Sequence, residues 1–490
     1  MIDLSSLNPL KGQADASGAY ALYLPAISPV YAKSFDGGNQ KYRNRPFPNA
    51  IEGNIDTLNF LDPNSNLFSS SWALYSAGNA ELDLTKARER GIERIIHNRS
   101  PETKLVGDSG GYQFRTGAWK FDTDDRVAMD HLCENVLRWQ EATCDVIMPL
   151  DLPPIDTGGL DTGKSVLKTY DQCLRGTLKN FEYFANNRDH SLGKPILNVL
   201  QGTNFQDQQR WYEAVKNTKF DGWAFSWASH ESVMRVIHRL AILKNDGELE
   251  NCQWIHFLGV ARLRFAGALT LIMRALRKHV NPNLILSFDA SSPMLMAGKV
   301  GKGYHNWFFN DRGSLSEMTF DYHAVPRDIK YIGSKTPFPF VTSPIGHMLE
   351  MGHLCVNKKP TAKSSAWDGM SSTLLSNHNT YVHLHAIYQI NRFMDHALCG
   401  DAQIKLPFEF FEFSNIVEYV LDPKTSLNQA KTRLGEQRDV LQWFDRKAIA
   451  TVAQLTRSDT MVDWATTDLE EFPNYAEYPW IGEPPENCEY

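Results

Sequence analysis

The stretch Lys104-Leu105-Val106-Gly107-Asp108-Ser109-Gly110-Gly111-Tyr112-Gln113 decides how the chain is read. Its first residues are a short apolar run of the kind that forms a buried strand. The paired glycines then let the backbone turn sharply and approach a ligand closely, because no Cβ stands in the way. The outcome is a carboxylate at a strand end, with an aromatic and an amide just beyond it. Taken alone, Asp-Ser-Gly-Gly is also an ordinary turn, so its meaning rests on the remaining chain.

Working outward, similar apolar runs recur on both sides. Ala21 to Val30 and Phe68 to Tyr75 precede the opening stretch, and Cys144 to Asp151 follows it. Ile196 to Leu200 then runs into Gln201-Gly202, and Trp223 to Trp227, Ile255 to Val260 and Leu284 to Asp289 come after. Apolar residues at helical spacing fill the intervals near 82–96, 125–141, 163–185, 206–216, 232–243 and 265–278. About eight strands alternating with helices, with few hairpin signals, predict an α/β chain folded as a parallel (β/α)8 TIM barrel. Chemistry in such a barrel sits at the carboxyl ends of the strands. Asp108, Asp151, Gln201 and Asp289 each fall at such an end and would converge on one mouth. Any single aspartate can instead cap the next helix. All of them doing only that is the weaker explanation.

Composition bounds the function. Hydrophobic residues make up 42% of the 490 residues and charged residues 22%, enough apolar material for a large core. The formal net charge of -7 argues against a strongly basic nucleic-acid binder, so any such contact must come from a local basic surface. Seven scattered cysteines without a C-x-x-C pair, no basic leader at Met1-Ile2-Asp3 and no bilayer-length apolar run lead to the expectation of a cytoplasmic protein away from the membrane.

Further residues carry a resemblance. Asp-Ser-Gly-Gly-Tyr-Gln at 108–113, the strand end at Asp151 and Leu200-Gln201-Gly202 are its first motifs. Phe220-Asp221-Gly222-Trp223-Ala224, Phe257-Leu258-Gly259-Val260, Phe288-Asp289-Ala290-Ser291-Ser292-Pro293 and His378-Asn379 at the head of a helix over 380–396 follow. In this order and spacing they resemble the queuine and archaeosine tRNA-guanine transglycosylases, over roughly residues 20–397. The resemblance implies exchange of a guanine for a 7-deazaguanine through a covalent glycosyl-enzyme. Asp289 then corresponds to the nucleophile and Asp108 to the general acid/base. Two displacements at one carbon require carboxylates on opposite sides of the scissile bond. Asp151 would accept the two-donor edge of the purine, and Gln201, with Gln113, would donate to its 6-oxo group. Tyr112 would stack on the base or else be a core aromatic. Ser109, Gly110, Gly111 and Gly202 would line the pocket, with Ser226 and Trp227 standing where the family carries a glycine pair. Trp227 either narrows that wall or faces the surrounding helices.

The family also carries a structural zinc. Here His378 matches one ligand and Cys355 is the remaining cysteine, so His347, His353, Cys355 and His378 are the candidate set, against a metal-free subdomain. Arg262, Arg264, Lys299, Lys302, Lys358, Lys359 and Lys363 could track a phosphate backbone or be solvated faces.

The expected organisation is an N-terminal segment 1–20, a barrel 21–400 with an inserted zinc-type subdomain 340–380, and a C-terminal helical and acidic extension 401–490. Helices are expected over 428–444 and 446–455 in that extension. The extension, the altered wall and the reduced cysteine set liken the chain to relatives that place 7-deazaguanines in DNA in phages and bacteria, where modified guanine blocks restriction. A tRNA enzyme is the alternative. A non-catalytic nucleic-acid-binding subunit and a carbohydrate hydrolase are the readings from other classes. The implied partners are nucleic acid, DNA before tRNA, and the free 7-deazaguanine base, with a homodimer or a duplex-opening partner left open.

Overall fold

The structure, a computed structural model, describes residues 19–37, 45, 47–120, 122–154, 169–202, 204–226, 232–312, 315–340, 342–358, 365–400 and 406–445. Its centre is a five-stranded parallel sheet in the order β1 (Leu22–Pro25), β8 (Ile285–Ala290), β7 (Trp254–Phe257), β6 (Gly222–Phe225) and β5 (Leu197–Leu200). A three-stranded parallel sheet holds β2 (Trp72–Ser76), β3 (Lys104–Asp108) and β4 (Val146–Ile147). Single parallel bridges, Ala26 to Leu74 and Ile147 to Ile196, connect the sheets at both edges. The hydrogen bonds there run from Ile27 N to Leu74 O and from Ile147 N to Pro195 O, each 2.9 Å.

The strands are apolar runs rather than alternating patterns because both faces of the parallel sheets are buried. β5, β6 and β7 are buried at every residue. Each fully buried large aliphatic or aromatic side chain there contributes about 1.5–3 kcal/mol. Three of the helices between the strands start on side-chain caps. Asp125 accepts from Ala128 N ahead of Arg126–Thr143, and Asn204 accepts from Asp207 N ahead of Phe205–Val215. Thr169 and Gln172 form a capping box ahead of Tyr170–Asn187. Met129, Leu132, Val136 and Trp139 form the buried stripe of the first of these, as their spacing predicts.

Several boundaries differ from the expected ones for identifiable reasons. The run from Ala21 to Val30 is a strand only over Leu22–Pro25. Ser28 then caps a helix, Pro29–Ser34, whose first position suits proline. The helix expected near 82–96 is split into Leu84–Arg90 and Arg94–His97, because Gly91 adopts a left-handed conformation with φ 59°. β4 is short: Met148 N still bonds Gly107 O at 3.1 Å, but Pro149 has no N–H to continue the ladder. The start of the helix expected near 163–185 lies outside the described residues.

An antiparallel hairpin, β9 (Lys302–Arg312) and β10 (Leu315–Ala324), follows β8 and was not expected. The 30-residue helix Gly369–Leu398 starts at a capping box of Asp368 and Ser371. His378 and Asn379 therefore lie inside this helix, and the expectation that they head it is corrected. In the C-terminal extension Phe408–Leu421 is an unforeseen helix, and the helix expected over 428–444 is two, Leu427–Glu436 and Arg438–Asp445. The span 446–455 and the acidic end lie outside the described residues. Phe410, Phe413, Ile416 and Val417 are buried, and their helix packs on Leu263–His279 and Val233–Asn245. Among the described residues no helix is long and apolar enough to cross a membrane.

Candidate active site

The glycine turn after β3 is fixed by its surroundings. Gly110 has φ +83°, and a Cβ at Gly111 would run into the backbone oxygen of Asp151. Only glycine lets the turn lie against the segment that carries Asp151. Ser109 is thereby brought beneath Asp151, its hydroxyl donating to Oδ1 at 3.3 Å. From the next strand end, Gln201 Nε2 donates to Asp151 Oδ2 at 2.6 Å. All three side chains are buried. Burial raises the Asp151 carboxyl to about 6, helped by the negative charge of Asp108 and opposed by the bonds from Gln201 and Ser109.

Asp108 ends β3, opposite Ser76 at the end of β2. Burial pushes its pKa up, the Ser76 hydroxyl pulls it down, and the charge of Asp289 raises it again. The Gly110 N–H acts the other way. The two carboxyls therefore lie close enough to interact, and burial shifts Asp108 toward its protonated form. A carboxyl shifted in this direction is better suited to give and take a proton than an exposed one.

Asp289 lies near the end of β8, paired with Leu24 of β1. Its Oδ1 accepts from Gly259 N at 2.9 Å and faces His256 Nε2 at 3.3 Å. His256 Nδ1 lies 2.8 Å from Ser287 Oγ, and Trp254 Nε1 donates to the same oxygen at 2.6 Å. Trp254, His256 and Ser287 went unrecognised in the sequence. The signal was there: a histidine and a serine interrupt two otherwise apolar strands, two residues from Trp254 and Asp289 respectively, at the period that puts them on one face.

Asp108, Asp151, Gln201 and Asp289 thus follow or end parallel strands on the same side, with Ser109, Gly110, Gly111 and Gly202 in the connecting turns. Tyr112 is 62% exposed, so it is not a core aromatic. Gln113 is turned aside, its Nε2 donating to Asn79 Oδ1 at 3.3 Å. Ser226 is buried after β6, its N–H bonded to Leu200 O at 3.1 Å. Trp227 lies outside the described residues.

The four candidate zinc ligands are not gathered. Among the described residues no group of three or more histidine, cysteine, aspartate or glutamate side chains is arranged to hold a metal. His378 is fully buried and both its ring nitrogens are engaged. Nε2 lies 2.6 Å from the Tyr304 carbonyl, which can only accept, so Nδ1 is the bare nitrogen and takes the Ser343 hydroxyl at 2.6 Å. His353 Nδ1 accepts from Glu350 N at 2.9 Å, Cys355 Sγ points at Pro326 O at 3.5 Å, and His347 is exposed. These residues, as placed, do not fit a shared tetrahedral ion. Beside His378, Asn379 donates to Pro293 O and Lys302 O and accepts from Tyr304 N, pinning the segment that follows Asp289 to the long helix.

Two of the basic residues considered for phosphate contact are turned inward. Arg262 Nη1 donates to Asp445 O at 2.9 Å, and Arg264 Nη1 to Trp443 O at 2.8 Å with its guanidinium over the Trp443 ring. Lys302 lies over Tyr322, Lys358 is exposed, and Lys359 and Lys363 are outside the described residues. In comparison with known proteins, the chain matches no protein-family model and no curated protein.

Proposed function

We propose that the protein is a guanine transglycosylase that replaces guanine in DNA with a 7-deazaguanine such as 7-cyano-7-deazaguanine. On this reading the two sheets, joined at both edges by single bridges, are one eight-stranded parallel barrel, and the strand ends form its mouth. One observation carries the proposal: two interacting carboxylates, Asp108 and Asp289, share a set of strand ends with the buried Asp151–Gln201 pair.

Asp289 attacks the sugar anomeric carbon, forming a C–O bond as the glycosidic C–N bond breaks. The departing electron pair leaves with guanine, which takes a proton from Asp108. The incoming base then loses a proton to Asp108 and attacks the same carbon, releasing the Asp289 carboxylate and retaining configuration. Asp151 accepts the N1–H and amino donors of the purine, while Gln201 buttresses it. Exposed Tyr112 offers a stacking face for a base displaced from the duplex.

Release of radiolabelled guanine from matched DNA and tRNA, with 7-cyano-7-deazaguanine supplied and Asp289→Asn as control, tests this. Release from DNA that is lost in the variant is the expected result. Release from tRNA alone makes the chain a tRNA enzyme, and release from neither refutes base exchange by the isolated protein.

A further inference from the structure

Asp289 is held from one side only. Both of its hydrogen bonds fall on Oδ1, and Oδ2 takes none from any described residue. The donor at 3.3 Å belongs to a buried chain, Trp254 Nε1, Ser287 Oγ, His256 and Asp289 Oδ1. Ser287 and His256 are both 0% exposed, so every proton in the chain must be accounted for inside the protein.

The accounting has one neutral solution. An indole N–H only donates, so Ser287 Oγ accepts from Trp254 and its own hydrogen remains to be placed. If His256 carried its proton on Nδ1, its bare Nε2 would face the Asp289 carboxylate, acceptor against acceptor. If the ring were charged, Ser287 would accept twice and its hydroxyl hydrogen would be left buried without a partner, which is unfavourable. With the ring neutral and protonated on Nε2, Ser287 donates to Nδ1, Nε2–H donates to Asp289, and every group is satisfied.

We infer that His256 is a positioning residue: a neutral imidazole, fixed in its Nε2–H tautomer by Trp254 and Ser287, which with Gly259 N holds Asp289 Oδ1 and leaves Oδ2 to attack. This rests on the transglycosylase reading for its chemical consequence, but not for its geometry. A neutral donor orients the carboxylate without placing a full positive charge on it. A cation at that point would stabilise the ionised carboxylate before attack and oppose its transfer to carbon. Fixing one oxygen also limits the rotation of the nucleophile, which is what pre-organisation requires.

Two measurements test the inference. Nitrogen-detected NMR of the full chain labelled in its histidine rings, with His256→Gln supplying the assignment, is expected to show Nε2 protonated and Nδ1 bare at about pH 7. A charged ring or the opposite tautomer overturns the proposal, whatever the enzyme does. In single-turnover experiments His256→Phe should slow formation of the DNA–protein adduct roughly tenfold or more with DNA affinity unchanged, while His256→Gln, which keeps an amide donor at similar reach, should stay within about threefold of the parent. Equal rates in parent and His256→Phe overturn it as well. A parent that forms no adduct with DNA or tRNA refutes the transglycosylase reading instead, and the tautomer measurement alone then decides the role of His256.

Discussion

The carboxylate of Asp445 accepts a hydrogen bond from Val233 N at 2.7 Å, capping a helix that begins 212 residues earlier in the chain. Its other oxygen takes the Ser232 hydroxyl at 2.8 Å, so the residue in the usual capping position gives its own side chain to the extension. Asp445→Ala should lower stability by about 1–2 kcal/mol, the usual cost of a lost cap, and Asp445→Asn by less. Urea unfolding monitored by circular dichroism checks this, and an unchanged midpoint in Asp445→Ala would mean that the cap contributes nothing.

Asp151 yields a prediction with opposite signs for folding and for binding. Its folded-state pKa of about 6 lies above the ordinary aspartate value of 3.8, so the folded chain favours the protonated form. Stability from this group is therefore present below the ordinary carboxylate range and is lost as pH rises through about 6. On the proposed function, binding of guanine needs the ionised form, so affinity should fall as pH drops through the same window. Calorimetric titration with guanine across that window, in parent and Asp151→Asn, is the check. The variant should bind on the order of a hundredfold more weakly and lose the pH dependence.

Gly111→Ala places a methyl group on the Asp151 backbone oxygen. The turn or the Asp151 segment must move, at a cost of about 1–3 kcal/mol. Guanine affinity should fall along with the unfolding midpoint. A variant with parental stability and affinity would show that the turn yields freely.

With both ring nitrogens of His378 hydrogen-bonded, the melting temperature is expected to be unchanged by chelator. Overnight dialysis against a strong zinc chelator followed by calorimetry is the measurement. A fall in Tm that zinc restores would contradict the hydrogen-bonded placement of this ring.

Much of this architecture was legible in the sequence, and the limits of legibility have physical causes. The strand over 104–108 and the helices capped by Asp125 and Asn204 follow from apolar runs and caps, which act locally. The hairpin after β8 was missed although Asn310-Asp311-Arg312-Gly313-Ser314 is turn chemistry between aromatic runs, because the alternation of strands and helices had set the expectation. Asp108, Asp151, Gln201 and Asp289 were legible as strand-end polar residues. The relay through His256 and Ser287 was legible only in part: their period-two spacing from Trp254 and Asp289 was visible, but not the register that sets His256 beside Ser287 across two strands. The inward roles of Arg262 and Arg264 depend on contacts across about 180 positions of chain, which local pattern does not carry.

The division into two sheets has a mechanical consequence. Asp289 rides on the five-stranded sheet and Asp108 on the three-stranded one; Gln201 follows a strand of the first and Asp151 a strand of the second. Each working pair therefore straddles a seam held by a single bridge. A small slip of one sheet against the other changes the gap between the carboxylates and the grip of Gln201 on Asp151 in the same stroke. On the proposed function, filling the purine pocket and setting the distance for attack would then be one displacement, geared together by the way the strands are shared out.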